Sequence, residues 1–310
     1  MIKKIRIATR SSLLALWQAN WVKEKIGELN SDISVELIHL ITKGDKILDA
    51  PLAKIGGKGL FVKELEVAML NQEADIAVHS MKDVPTELPD GLEISVITKR
   101  ETPNDAFVSN RFSTFRELPK KAVVGTSSLR RIAQLQRLRP DLKFKTLRGN
   151  VNTRLSKLDN NEYDAIILAA AGLIRLDLND RITELLSLDS SLPAICQGVV
   201  CIESRVNDSD VLDIINQLND DETSYNARAE RALLCRLNGG CQVPLAGFAV
   251  TKGDQITLTG LLASPDGTKY LKKTEIGSRE NCVEIGIQLA EELLQAGGRE
   301  ILADVGIETD

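Results

Sequence analysis

The chain has 310 residues, of which 43% are hydrophobic, 27% charged and 4% aromatic, with a formal net charge of −5. That length exceeds one ordinary core and predicts two or three domains. The acidic balance and scarce aromatics exclude general attraction to nucleic acid or to an anionic membrane.

At the N-terminus, Met1–Ile7 alternates apolar and basic residues like a strand. The apolar cluster Leu13–Trp17 is too short for a signal-peptide core, and the longest uncharged apolar run, Ala165–Ile174, is about half a membrane span. A cytoplasmic protein is expected. Lys4–Thr9 reads as a strand, and Ser11 or Ser12 caps a helix over Leu13–Leu29 with Leu14, Trp17, Trp21, Ile26 and Leu29 on its apolar side. Val35–Ile41 is a second strand. The glycine-rich loop Ile55–Gly59 leads into a helix from about Leu60 to Asn71, and strands follow at Ala74–His79 and Leu92–Thr98. This rhythm predicts a mostly parallel sheet covered by helices on both faces.

A second unit begins near Lys99–Phe107. It reads as strand Ala122–Gly125, helix Ser128–Leu138, strand Lys143–Leu147, helix Val151–Leu158 and strand Ala165–Ala169. Ala8–Leu13 echoes Gly125–Leu129: each is a strand, a hydroxyl-rich turn and a helix start, a pattern suited to anion sites. Leu192–Gly198 is a crossing between domains. A third unit starts near Asp220 with helix Asn226–Leu237, strands near Ala246–Val250, Gln255–Leu262 and Tyr270–Glu275, and a helix from about Val283 to Gln295. Its short strands and turns suggest a small α+β domain.

Between Lys120 and Asp159 eleven basic residues face only Asp141 and Asp159, a local charge of +9 that leaves −14 for the remainder. Arg137, Arg139, Lys143 and Lys157 read as a solvated face. Arg130, Arg131, Arg148 and Arg154 instead gather at the carboxyl ends of strands, where open α/β sheets bind ligands, and arginine forks suit carboxylates. The expected ligand is a polyanion. Lys54 and Lys58 flank a glycine loop without the spacing of a nucleotide P-loop. Asp83 closes the strand Ala74–His79, where it can hold N–H groups or a developing cation. His79 is placed to orient that loop, and His39 reads as packed.

The five cysteines (Cys196, Cys201, Cys235, Cys241, Cys282) contain no C-x-x-C pair, and with two histidines a zinc site or a disulfide framework is not expected. Four of them read as small packing residues. Cys241 differs: in Asn238-Gly239-Gly240-Cys241-Gln242-Val243-Pro244 two glycines clear space before the thiol and a proline stiffens the exit.

Arg6–Arg10, Leu14–Gln18, Gly56–Phe61, His79–Pro85, Gly125–Arg131, Leu147–Asn150 and Gly239–Pro244 together resemble the porphobilinogen deaminase family, also called hydroxymethylbilane synthases, in the right order over almost the whole chain. The resemblance implies an α/β protein of three domains: two doubly wound domains like periplasmic binding proteins, with the active site in a cleft between them, and a small C-terminal α+β domain. The boundaries expected are 1–98 with 199–219, then 99–198, then 220–310. It implies condensation of four porphobilinogen molecules on a dipyrromethane cofactor joined by a thioether to Cys241, release of ammonia, and hydrolysis to hydroxymethylbilane. A monomer is implied, with hand-over of product to uroporphyrinogen-III synthase.

By the same resemblance Asp83 is catalytic and holds the pyrrole N–H groups. Lys82, Asp83, Thr126, Ser128, Arg130, Arg131, Arg148 and Arg154 bind the cofactor. Arg10, Ser12, Gln18, Lys54, Lys58, Phe61 and Arg175 line the substrate side. The chain departs from the family at Leu13 (often proline), Asn238 (usually glutamate) and Cys196 (glycine), and it varies at Cys201 and Ser204. The rival from another class is a solute-binding or sensor protein holding a polycarboxylate, which would need neither the Gly-Gly-Cys loop nor Asp83 among cations.

Overall fold

The computed structural model describes residues 2–46, 59–240 and 243–309. In chain order β1 (Lys4–Arg10), α1 (Leu13–Leu29), β2 (Ser34–Leu40), α2 (Lys43–Lys46), α3 (Lys63–Leu70), β3 (Ile76–Ser80) and β4 (Leu92–Ile97) come first. They are followed by β5 (Asp105–Val108), β6 (Val123–Gly125), α4 (Leu129–Leu138), β7 (Lys143–Lys145), α5 (Val151–Asp159), β8 (Ala165–Ala169), α6 (Ala170–Arg175) and β9 (Glu184–Leu185). The remainder is β10 (Val200–Arg205), α7 (Ser209–Ile215), α8 (Asp221–Arg236), β11 (Leu245–Lys252), β12 (Gln255–Ala263), β13 (Tyr270–Ser278), α9 (Cys282–Leu293) and α10 (Arg299–Ala303). The described residues divide into two units, one formed by 2–46, 59–101 and 199–224 and the other by the rest.

The first unit is built on a sheet ordered β2-β1-β3-β10-β4. β1 runs parallel to β2 and β3, and β10 lies antiparallel between β3 and β4. The sheet is therefore mixed rather than mostly parallel, because the chain returns as β10 after the second unit. The apolar run Val199–Ile202 is the sequence signal of that strand, which is buried as far as Ser204. Helix α1 buries Ala15, Gln18, Ala19, Val22 and Ile26; of the expected apolar side Ile26 is buried and Trp21 packs against the core, whereas Leu14, Trp17 and Leu29 are not buried. Small Ala15 and Ala19 let the helix approach the sheet, while Leu29 is 41% exposed. His39 is exposed on β2, which is an edge strand, rather than packed.

In the second unit a sheet is ordered β7-β6-β8-β5-β9. Here β6 is parallel to β7 and β8, and β5 is antiparallel to β8 and β9. Order and directions repeat those of the first sheet, with β1 matching β6 and β10 matching β5. The echo between Ala8–Leu13 and Gly125–Leu129 is the visible trace of that repeat. Both turns end in a capping serine: Ser12 Oγ accepts from Ala15 N at 3.3 Å and Ser128 Oγ from Arg131 N at 3.4 Å.

The antiparallel sheet β11-β12-β13 carries α8 and α9. Gly286 lets these helices meet, since a Cβ there would lie 2.3 Å from Ala229 O. Helix α4 is shared by this sheet and the five-stranded one: Ala133 packs with Leu192, Ala246, Leu261 and Ala263. Helix α8 starts at Asp221, five residues before the expected start. Cys196, Cys201 and Cys282 are buried as packing residues, whereas Cys235 is exposed.

Candidate active site

Two groups of side chains, one in each unit, bear on function. In the first unit β1 ends at Arg10 and β3 at Ser80, side by side in a parallel pair, with α1 beginning between them. An open pocket at these carboxyl ends is lined by Arg10, Ser12, Gln18, Phe61, His79, Ser80 and Asp83. Four residues expected on the substrate side (Arg10, Ser12, Gln18, Phe61) thus meet the expected catalytic Asp83. Lys54 and Lys58, also expected here, lie outside the described residues.

Arg10, Gln18, Phe61, His79 and Ser80 are each held by a partner. The Arg10 guanidinium lies 4.3 Å above the Phe61 ring and is ion-paired with Asp45. Burial would raise the Asp45 carboxyl, but hydrogen bonds from Arg10 and Thr42 outweigh it and hold it below its ordinary value. Gln18 Nε2 donates to Ser80 Oγ at 2.8 Å, joining α1 to β3. A 3-10 turn over Met81–Asp83 follows β3, pinned by Met81 N donating to Val199 O at 2.9 Å, and it leaves Lys82 and Asp83 exposed. Beneath the turn, His79 Nε2 lies 2.9 Å from Glu203 Oε2, both buried. Glu203 Oε1 has no hydrogen-bond partner among the described residues. Burial, then the Glu203 charge, push the nearby Glu66 carboxyl above its ordinary value.

In the second unit the β6–α4 turn and the β7–α5 loop are laced together. Ser127 Oγ donates to Leu147 O at 2.7 Å and accepts from Leu147 N at 3.1 Å. The lacing brings the Thr126–Ser128 turn beside Arg148. Thr126 Oγ1 accepts from Ser128 N at 3.2 Å, and Asn150 Oδ1 caps α5 by accepting from Thr153 N at 2.9 Å. Gly149 joins these at φ 112°, and Arg154 Nε donates to its carbonyl at 2.7 Å. Two helix N-termini and Arg148 and Arg154 therefore share one corner.

Arg130 and Arg131 are buried, and both pair with Asp105 at the start of β5, at 2.8 and 2.7 Å. Asp105, Asp45 and Glu203 were not singled out from sequence: each partner lies at least 25 residues away, so no local spacing marks them. Arg175 lies in the second unit, not among the pocket residues, and its Nη2 donates to Gly198 O at 2.7 Å.

These donors fit a polycarboxylate. Two desolvated guanidiniums face one carboxylate among the described residues, so the corner keeps one positive charge in excess. Burial, opposed by Asp105 and aided by the Arg131 charge, holds Arg130 below its ordinary value. A further anion would relieve that stress.

Cys241 and Gln242 lie outside the described residues. Helix α8 ends in a Schellman motif with Asn238 at φ 46°: Gly239 N donates to Leu234 O at 3.0 Å and Asn238 N to Cys235 O at 2.9 Å. Asparagine suits that left-handed position. A Cβ on Gly239 would meet Leu245 at 2.8 Å, whereas one on Gly240 would meet nothing within 4 Å among the described residues.

Residues 5–213 match the family described as porphobilinogen deaminase, dipyromethane cofactor binding domain, and residues 224–295 match porphobilinogen deaminase, C-terminal domain. Among solved structures, the chain is similar to the periplasmic VFT2 domain of Bordetella pertussis BvgS, at 16% identity and a TM-score of 0.41, covering 70% of this chain and 86% of that one. It is also similar to a nutrient binding protein from Burkholderia cenocepacia bound to methionine, at 13% identity and a TM-score of 0.42, covering 68% and 89%.

Proposed function

Because the chain belongs to the porphobilinogen deaminase family, which condenses four porphobilinogen molecules head to tail on a dipyrromethane with loss of ammonia and then releases hydroxymethylbilane by hydrolysis, we propose the following roles for its residues. The single observation carrying them is the pocket that brings Arg10, Gln18 and Phe61 together with Asp83. The matches to both parts of the family disfavour the solute-binding reading.

Arg10, braced by Asp45 and Phe61, holds a carboxylate of the incoming porphobilinogen, and Ser12 and Gln18 add polar contacts beside it. Lys54, Lys58 and Arg175 serve the same substrate or the growing chain. Asp83, on an exposed turn, accepts pyrrole N–H groups and stabilises the positive charge that develops as the amine departs. When bound, the dipyrromethane supplies the pyrrole α-carbon to which the first substrate is joined. Thr126, Ser128, Arg130, Arg131, Arg148 and Arg154 hold its acetate and propionate groups, with Lys82 and Asp83. The observed net positive corner with two helix N-termini supports that assignment.

Cys241 carries the cofactor through a thioether. The Schellman end of α8, the close-packed Gly239 and the open space at Gly240 support an anchor at this place. The domain boundaries that suit these roles are 1–98 with 199–219, 99–198, and 220–310. The protein works as a cytoplasmic monomer that hands its product to uroporphyrinogen-III synthase.

Intact-protein mass tests the reading. The wild type carries an added dipyrromethane mass and Cys241→Ser carries none. An unmodified wild type with full activity would refute it.

A further inference from the structure

Asp105 is wholly buried and accepts hydrogen bonds from four side chains. Oδ1 receives Arg130 Nη2 at 3.1 Å, Arg131 Nε at 2.9 Å, Arg131 Nη2 at 2.7 Å and Gln197 Nε2 at 3.0 Å. Oδ2 receives Arg130 Nη1 at 2.8 Å and Ser191 Oγ at 2.7 Å. A carboxylate offers about four lone-pair sites, so this one is saturated.

The arginines are not saturated. Arg130 also donates to Leu192 O at 2.5 Å and Arg131 to Ile167 O at 2.9 Å, so each guanidinium spends three N–H groups here. A guanidinium has about five, which leaves some on each for another acceptor. Two adjacent cations would repel and splay in this buried site without an anion between them. Burial would raise the Asp105 carboxyl, but Arg130 and Arg131 outweigh it and hold it far below the ordinary range, so it stays ionised.

We propose that Asp105 is the positioning residue of the cofactor seat: it locks Arg130 and Arg131 in one orientation, presents their remaining N–H groups to a ligand carboxylate, and leaves the seat a single excess positive charge. The proposal rests on the reading above that these arginines bind the cofactor. Ser191, just before the crossing segment that leads to β10, and Gln197, within it, share the same carboxylate. The seat and the crossing are therefore fixed by one group.

The test measures the fraction of folded protein that carries the dipyrromethane mass, for wild type, Asp105→Asn and the double variant Ser191→Ala/Gln197→Ala. Positioning predicts about a tenfold fall in loading for Asp105→Asn, the scale of one charged hydrogen bond lost. Charge attraction alone predicts the opposite, because that variant makes the seat more positive. A purely structural role predicts a lower melting temperature with loading unchanged among folded molecules. Full loading of Asp105→Asn overturns the proposal.

If Asp105→Asn yields no folded protein, the double variant decides, since it keeps both arginines and the charge. Reduced loading there supports positioning, and wild-type loading overturns it. A wild type without the added mass overturns the reading of the seat itself, and the proposal with it.

Discussion

Glu230 Oε2 accepts the backbone N–H of Cys196 at 2.6 Å, and Cys196 holds a left-handed φ of 58°. The other oxygen of Glu230 accepts from Ala249 N at 2.9 Å, so one buried carboxylate ties the crossing segment to β11. Glycine adopts that left-handed backbone more readily than cysteine does. Glu230→Ala orphans two buried N–H groups and is expected to lower unfolding free energy by about 3 kcal/mol. Cys196→Val puts a branched side chain at that φ and is expected to cost about 1–3 kcal/mol. Urea denaturation measures both, and a wild-type midpoint in either variant would contradict the argument for it.

Asp83→Ala is expected to leave the cofactor assembled while lowering kcat by about two to three orders of magnitude, the scale of lost transition-state charge stabilisation. The side chain is exposed and its turn is pinned through the backbone of Met81, so the fold does not depend on it. Steady-state rates alongside intact mass check this, and a wild-type kcat would remove Asp83 from its assigned role.

Gly149→Ala is expected to destabilise by about 1–3 kcal/mol through backbone strain. Its φ is 112°, and a Cβ would sit 2.6 Å from Thr153 Cγ2 on α5. Because Arg148 precedes this glycine and Arg154 bonds its carbonyl, cofactor loading is expected to fall as well. Chemical denaturation and intact mass read the two effects separately.

Asp75 links β1 to the end of β10: Arg6 Nη2 reaches its Oδ1 at 2.7 Å and Arg205 Nη2 at 3.4 Å. Burial would raise this carboxyl, but the Arg6 hydrogen bonds and charge outweigh it and hold it below its ordinary value. The folded value is the lower one, so its stabilisation is complete above about pH 4 and is lost as pH falls through the folded value. Asp75→Asn is expected to be less stable at neutral pH, with a flatter acid limb. Parallel acid limbs for the two proteins would count against this account.

Local chemistry was legible in the sequence. Ser12, one of two candidate caps, starts the helix expected over Leu13–Leu29, the helix expected from Ser128 begins one residue later with Ser128 as its cap, and Asp83 closes a buried strand. Partners distant in sequence were not legible: Asp105 reads as an ordinary strand-start aspartate until β5 meets α4, and Glu203 reads as the polar end of an apolar run until β10 enters between β3 and β4. Ile26 and Trp21 of the expected α1 face do meet the core, but Ala15 and Ala19 displace Leu14 and Trp17 from it, because bulky residues dominate a hydropathy pattern while small ones allow the closest approach to a sheet.

The place of β10 has a consequence for how the chain reaches its fold. β4 joins the first sheet only through β10, yet about a hundred residues separate them in sequence. On a ribosome, β5 to β9 emerge before that strand does, so the second five-stranded sheet has all its strands while the first still lacks the one between β3 and β4. The N-terminal segment thus waits with the edges of β3 and β4 open, and a product truncated before Val200 is the species most exposed to aggregation.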